Sequence, residues 1–524
     1  MESGKEKRLD LRKKFIFTCD PVTARDYDDA LSLETDRKGN RVLGVHIADV
    51  SYYVKPGSKL DREAYNRGTS VYLPGKVIPM LPEELSNGLC SLVPNEDRLT
   101  FSVFMTFDKN GEMIKREFAK SIIRSKARFT YEQVMRLIAS PNKTFSLSPF
   151  LHGYKISKKD LKTILAINSL AQQLRVKRFA MGALDLALPE VQVLLDDHGN
   201  MTGLEAVPYD ESHQMIEECM VAANEAVAKE LWTKGIKILA RFHDVPDEEK
   251  LEMLRAELRG LGVKMGNITN LNVFAKFLQA IKKHPLYSTI SMLILRSMKK
   301  AVYDGEHMGH FGLAKKYYAH FTSPIRRYPD LTLHRQLAAY LEAGRAGRSA
   351  TAAPGVKIPP RRLASWAKHL SEKEQEAEQA ERDAIEEKKY EYLEAEINSR
   401  CLVEYEAIIT KCMPFGAFVE IPTLAISGLV HVSQLGPRNS FVKFNQYDQT
   451  LSAAGCSWRV GDKLEVIVGR VDFHERKIDF IPVRDQGKGK GYPHGKRGRA
   501  GSPRTPPKRS AERNIHNGTL TAHQ

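Results

Sequence analysis

The segment Thr18-Cys19-Asp20-Pro21-Val22-Thr23-Ala24-Arg25-Asp26-Tyr27-Asp28-Asp29-Ala30 puts four aspartates within ten residues. Phe15–Thr18 and Ala30–Leu33, on either side, are short aliphatic and β-branched runs that read as strands. The acids therefore straddle the exit of one strand and the start of the next. Carboxylates that converge there repel one another, so some must take up protons or be neutralised by cations. Oxygen-only donors point to Mg²⁺ or Mn²⁺ and away from zinc. A calcium loop does not fit. Counting from Asp26, Leu31 falls where glycine is required and Arg37 where glutamate is; counting from Asp20, Arg25 takes the glycine position.

A second cluster runs from His320 through Phe321-Thr322-Ser323-Pro324-Ile325-Arg326-Arg327-Tyr328-Pro329-Asp330-Leu331 to His334-Arg335. Pro324 predicts a helix N-terminus capped by Thr322 or Ser323. With Arg326 and Arg327 beside it, such an end is an anion site suited to a phosphodiester. A third group is His46–Tyr53 followed by Gly68-Thr69-Ser70-Val71-Tyr72-Leu73-Pro74, whose loop tyrosines can stack on bases. His46, on an apolar strand, reads as a satisfied core histidine. Each group has a plainer reading: an acidic surface turn, a capped helix with surface ion pairs, or tyrosines packed inside.

The 524 residues suit two to four domains, and 42% hydrophobic with 27% charged residues excludes wholesale disorder. The net charge of +16 calls for a polyanionic partner, and half of it lies on residues 486–524. Six scattered cysteines without a C-x-x-C pair argue against a zinc knuckle or disulfide scaffold and fit a reducing compartment. The charged N-terminus has no apolar run of signal-peptide length, and no stretch is long enough to span a membrane. A cytoplasmic, soluble protein is the expectation.

Residues 1–14 read as a basic lead-in, and prolines 74, 79 and 82 punctuate an irregular segment. Residues 101–120 form a hairpin turning at Asp108-Lys109-Asn110-Gly111. Helices dominate from about residue 130, as with Ile216, Cys219, Met220, Ala223 and Val227 at helical spacing. Residues 343–360 read as a loop. Residues 361–399 form a charged helix with a narrow stripe at Trp366, Leu370, Ala377, Ala380 and Ala384. Between 400 and 484, five strand-like runs suit a five-stranded OB-type barrel. There Phe415, Phe418 and His431 are candidate stacking groups, with Gly416 permitting close approach; barrel core is the alternative. Residues 485–524 have few core formers and read as a disordered basic tail.

Together with Leu60–Ala64, Ser86–Leu92, Ile216–Met220 and His310–Leu313, these segments resemble the ribonuclease II/ribonuclease R family, within it the bacterial ribonuclease R branch. The likeness covers residues 8–484. It implies an α+β fold: a mixed catalytic domain over 15–399, then an all-β OB barrel of the S-one type over 400–484. It also implies a processive 3′→5′ exoribonuclease that uses Mg²⁺, with Mn²⁺ as the alternative, to release nucleoside 5′-monophosphates. On the family pattern Asp20, Asp26, Asp28 and Asp29 are metal-binding carboxylates, and Asp28 is indispensable for cleavage. Tyr72 matches a tyrosine stacking on the 3′-terminal base. Arg326 or Arg327 matches the arginine that grips the scissile phosphate, and Glu381 an acid near the RNA end.

The implied partner is single-stranded RNA with a free 3′ end, with the ribosome or other RNA-processing proteins as further partners of a monomer. Two departures stand out. The family's two cold-shock domains have no counterpart in the dozen or so residues before the catalytic domain, which bears on RNA loading and discrimination against duplexes. The second base-stacking aromatic falls at Leu186, within Gly182-Ala183-Leu184-Asp185-Leu186, so a weaker clamp is expected unless nearby Phe179 substitutes. Two rivals remain: a non-catalytic RNA-binding scaffold, and a metal-dependent nuclease acting on DNA or internally.

Overall fold

The computed structural model describes residues 7–140, 154–184, 190–207, 209–284, 287–347, 349, 354–399, 403–436, 441–445 and 450–483. Leu186 and the 485–524 segment lie outside the described residues.

The first half is organised by a seven-stranded sheet. Its strands are β1 (Leu9–Asp10), β2 (Phe17–Asp20), β3 (Asp29–Thr35), β4 (Arg41–Ala48), β7 (Asp97–Phe107), β8 (Met113–Arg124) and β9 (Ala127–Thr130). Their order is β1-β8-β7-β4-β3-β2-β9, and all pairs are antiparallel except β1 with β8 and β2 with β9. β5 (Val71–Leu73) and β6 (Lys76–Ile78) form a small separate hairpin. The segment from residue 74, expected to be irregular, thus contains a strand, and Gly75, at φ +73°, makes the turn into it.

Alternation sets the faces of the sheet. Leu31, Leu43, Val45, Ile47, Phe101, Val103 and Met105 are buried in one apolar core. That core packs on α3 (Tyr131–Ala139), α4 (Lys158–Ala180) and α5 (Glu211–Thr233). On α5 the predicted Ile216, Cys219, Ala223 and Val227 are buried, and Met220 packs beside them. His46 points the other way and is fully buried, as the core reading expects. Its ring lies 2.9 Å from Ser32 Oγ and 2.6 Å from Ser102 Oγ, and a chain of hydroxyls continues through Ser121 to Thr100. The charge-free ladder satisfies every ring nitrogen.

A second core joins α1 (Val50–Tyr53) and α2 (Lys59–Arg67) to the starts of α9 (Tyr328–Arg345) and α10 (Pro360–Asn398). α6 (Glu248–Gly260), α7 (Leu271–Ile281) and α8 (Tyr287–Ser297) build a third cluster. Two-stranded sheets β10 (Glu190–Leu195) with β11 (Met201–Val207), and β12 (Ala240–Phe242) with β13 (Val302–Asp304), complete this half.

The stripe expected on α10 holds only at its start. Leu363, Ala367 and Leu370 are buried, whereas Ala380 is exposed and burial resumes at Leu393, inside the next domain. The helix leaves one core and enters another, so its middle packs on no continuous apolar surface.

The C-terminal domain is a closed barrel of β14 (Tyr405–Met413), β15 (Gly416–Ile421), β16 (Ile426–His431), β20 (Lys463–Asp472) and β21 (Lys477–Pro482), in the order β14-β15-β16-β21-β20. A three-stranded sheet of β17 (Lys443–Asn445), β18 (Thr450–Ala453) and β19 (Cys456–Trp458) is added between β16 and β20, and the sequence pattern did not foretell it. Among the described residues no cysteine is in a disulfide and no helix is long and apolar enough to cross a membrane.

Candidate active site

The acidic segment crosses one end of the seven-stranded sheet. β2 delivers Asp20 opposite Thr130 of β9, and β3 begins at Asp29. Two clamps shape the loop between them. Arg128, on β9, donates from Nη2 to the Pro21 and Val22 carbonyls, and its guanidinium lies 5.3 Å from the Tyr27 ring centre. Ser91 Oγ donates to the Arg25 carbonyl at 2.7 Å and accepts the Tyr27 N–H at 3.0 Å. The chain rejoins the sheet where the Ala48 N–H donates to the Asp28 carbonyl.

Asp28 is 4% exposed and Asp20 9%. Asp28 Oδ1 accepts the Ile325 N–H at 2.9 Å, and its Oδ2 lies 3.7 Å from Arg326 Nε. Asp26 Oδ2 accepts the Tyr72 hydroxyl at 3.2 Å. Burial pushes the Asp28 carboxyl well above its ordinary range, against the opposing pull of Arg326 and the Ile325 N–H. Burial, reinforced by the Asp29 charge, does the same to Asp20. Asp29 is pushed up to about 6, again by burial and against Arg326. The structure therefore gathers Asp20, Asp26, Asp28, Asp29, Tyr72 and Arg326 at one place.

Asp20 Oδ2 and Asp28 Oδ2 are buried without a hydrogen-bond partner. Among the described residues no three His, Cys, Asp or Glu side chains already stand together as a metal-holding group. The donors nonetheless fit a hard cation. They are all oxygens, and two are orphaned in the interior.

The predicted helix start at Pro324 is corrected. Residues 324–326 form a turn, and α9 begins at Tyr328 with Pro329 in its first turn and no side-chain cap. The reason is Asp330, which is fully buried. It accepts the Ser323 N–H and Arg327 Nη2, each at 2.8 Å, and so folds residues 323–327 back over the helix. Ser323 Oγ accepts from Arg326 Nη2 and caps nothing. The two arginines part company. The Arg326 side chain is 40% exposed and faces Asp28, whereas Arg327 lies inside against Asp330. Tyr72 reaches the site because the strand before it is zipped to this turn: Ser70 N–H donates to the Arg326 carbonyl and Tyr328 N–H to that of Gly68.

Glu381 is half-buried on α10, which packs on the β5 strand carrying Tyr72. Phe179, on α4, lies beneath the guanidinium groups of Arg175 and Arg178, 4.4 and 5.0 Å from its ring centre. In the barrel, Gly416 pairs with His431, and a Cβ there would come within 2.3 Å of the Val430 carbonyl. This close approach collects three groups at the β15–β16 corner: exposed Phe415, half-buried Phe418 edge-on to it at 6.0 Å, and exposed His431. The sequence reading passed over Arg128, Ser91 and Asp330 as positioning residues. Arg128 carried a usable signal, a lone cation within the buried strand Ala127–Thr130.

The RNB domain family profile matches residues 8–343, and that of the S1 RNA binding domain residues 404–481. Ribonuclease R of Thermotoga maritima is 41% identical over 91% of this chain and 65% of its own length. Ribonuclease R of Escherichia coli is 38% identical over 93% of this chain and 58% of its own. The solved RNase R of Mycoplasma genitalium in complex with ribose-methylated single-stranded RNA superposes with a TM-score of 0.79 at 28% identity, over 91% of this chain and 72% of that one. The chain thus spans less than two thirds of the length of these curated relatives. With its first domain matched over most of the chain and an S1 domain following, the protein belongs to the RNB-domain family.

Proposed function

We propose that the protein is a processive 3′→5′ exoribonuclease that hydrolyses single-stranded RNA from a free 3′ end and releases nucleoside 5′-monophosphates. The observation that carries this reading is the pairing of buried Asp28 with half-exposed Arg326, beside Tyr72 and three further carboxylates. The resemblance to ribonuclease R relatives supports the substrate and the direction of attack.

Asp20, Asp26, Asp28 and Asp29 would hold Mg²⁺, with Mn²⁺ as the alternative. When bound, such an ion polarises the scissile phosphate and lowers the pKa of an attacking water. The chain's own groups do the rest. Arg326, released from Asp28, offsets charge that develops on the phosphoryl oxygens. Tyr72 offers a ring to the terminal base and holds it in line. In hydrolysis the water oxygen bonds to phosphorus, the bond from phosphorus to the 3′ oxygen breaks, and that oxygen takes a proton. Phe415, Phe418 and His431 would hold upstream nucleotides by sequence-tolerant stacking. Such an activity belongs in the cytoplasm, where RNA is turned over.

The test is a single-stranded RNA labelled at its 5′ end, incubated with Mg²⁺ and with EDTA. A ladder shrinking to a short 5′ fragment, abolished by EDTA, is expected. RNA that is bound but stays intact would replace this reading with a non-catalytic binding protein.

A further inference from the structure

A cavity of about 780 Å³ opens on the same end of the sheet as the aspartates, yet neither they, Tyr72 nor Arg326 line it. The wall between the two sites is the turn into α9. Arg326 faces Asp28 on one side; two residues on, the Tyr328 hydroxyl donates to Asp61 on the cavity side at 2.8 Å.

Seven basic and three acidic side chains line the cavity. The acids are committed: Asp49 to Arg8, Asp61 to Arg335 and Glu342 to Lys120, each at 2.7 to 2.8 Å. Arg62, Lys357 and Arg362 are exposed and have no carboxylate partner among the described residues. An excess of unmatched cations in a concave site concentrates anions. The rings beside them define which anions. Trp366 is half-buried, with the Arg362 guanidinium 5.6 Å from its ring centre. Tyr52 is 37% exposed and flanked by Arg8 and Lys55. Tyr65, tilted, and Tyr328, edge-on, pack against Trp366 with ring centres 6.1 Å away. Paired cations and supported aromatic faces are what a phosphate joined to a base requires.

We propose that this cavity is a second ribonucleotide-binding site. The phosphate sits on Arg62, Lys357 and Arg362, and the base stacks on Trp366. The ligand is a free nucleoside monophosphate or one unit of an RNA strand, which share this chemistry. The inference stands on the lining of the cavity and not on the proposed exonuclease activity.

The whole protein, held in EDTA so that no RNA is cut, is titrated with adenosine monophosphate and separately with a 3′-phosphorylated hexaadenylate. Tryptophan fluorescence is the readout. Saturable quenching is expected, lost in Trp366→Phe and with a midpoint about tenfold weaker in Lys357→Glu/Arg362→Glu. Arg62→Glu serves as an independent variant, and unchanged melting temperatures confirm that each variant is folded. Quenching by the monophosphate identifies a free nucleotide as sufficient; quenching by the hexamer alone identifies a strand segment. No Trp366-dependent quenching with either probe, or an unshifted midpoint in both charge-reversed proteins, would overturn the proposal. Because cleavage is not measured, the result is independent of whether the exonuclease reading holds.

Discussion

The Asp28 carboxylate accepts the backbone N–H of Ile325, from a segment 297 residues further along the chain, and its second oxygen faces Arg326. One carboxylate thus both anchors the turn and holds the arginine beside it. Asp28→Asn keeps the Oδ1 acceptor and removes the charge. Hydrolysis is expected to fall by about 10³-fold or more, while RNA binding and melting temperature are retained. Single-turnover cleavage and a filter-binding titration on the same preparation check this; a variant that loses binding along with cleavage would contradict it.

Adjacent arginines should behave oppositely. Arg326→Ala removes a half-exposed side chain and should cost about 10²-fold in cleavage with little change in stability. Arg327→Ala strands the fully buried Asp330 without its counter-charge and should destabilise the fold by roughly 3–5 kcal/mol. Urea denaturation of both variants separates the roles.

Mg²⁺ should stabilise the protein, because an ion at the aspartates relieves buried negative charge. A rise in melting temperature with Mg²⁺ is expected in the wild type and its loss in Asp20→Asn/Asp29→Asn. An identical rise in the double variant would place the ion elsewhere.

Acid should weaken the fold through its buried histidines, among them His46 and His310. Burial lowers the pKa of His46 to about 3, and that of His310 likewise. Their folded values lie below the unfolded value near 6.5, so the unfolded chain binds more protons as pH falls. Their stability contribution is full above about pH 6.5 and is lost progressively toward pH 3, at up to about 1.4 kcal/mol per pH unit each. Asp20, Asp28 and Asp29, with raised values, act in the opposite sense. Unfolding free energies at pH 7 and 4.5 should therefore differ less in His46→Gln than in the wild type, isolating the histidine.

Gly416→Ala should disrupt the barrel. Its φ of +156° and the 2.3 Å approach to the Val430 carbonyl leave no room for a methyl group. A cost of about 2–4 kcal/mol is expected, against a loss only of RNA affinity for Phe415→Ala. Calorimetry distinguishes the two.

Local pattern made much of this molecule legible. The barrel strands, the hairpin at Asp108–Gly111 and the burial of His46 follow from alternation and turn residues, which act over a few positions. The acidic cluster was legible because its four members fall within ten residues, at the exit of one strand and the start of the next. What escaped depends on distant partners. Helix α9 starts at Tyr328 because Asp330 and Asp28 take up N–H groups nearby in space, and the same contacts send Arg326 and Arg327 in different directions. The short strands of the added sheet, β17 to β19, have too few residues to show a period.

Helix α10 is buried in the second apolar core at Leu370 and in the barrel core at Leu393, and Asp383 and Lys389 tie it to the barrel through Arg476 and the Ala425 carbonyl. Those two leucines are about 35 Å apart along the axis. A single residue inserted between them would lengthen the helix by about 1.5 Å but swing the barrel by about 100° around it. The linker therefore fixes phase more tightly than distance. Seven added residues, about two full turns, would nearly restore the facing of the Phe415 corner, whereas one or two would turn it aside.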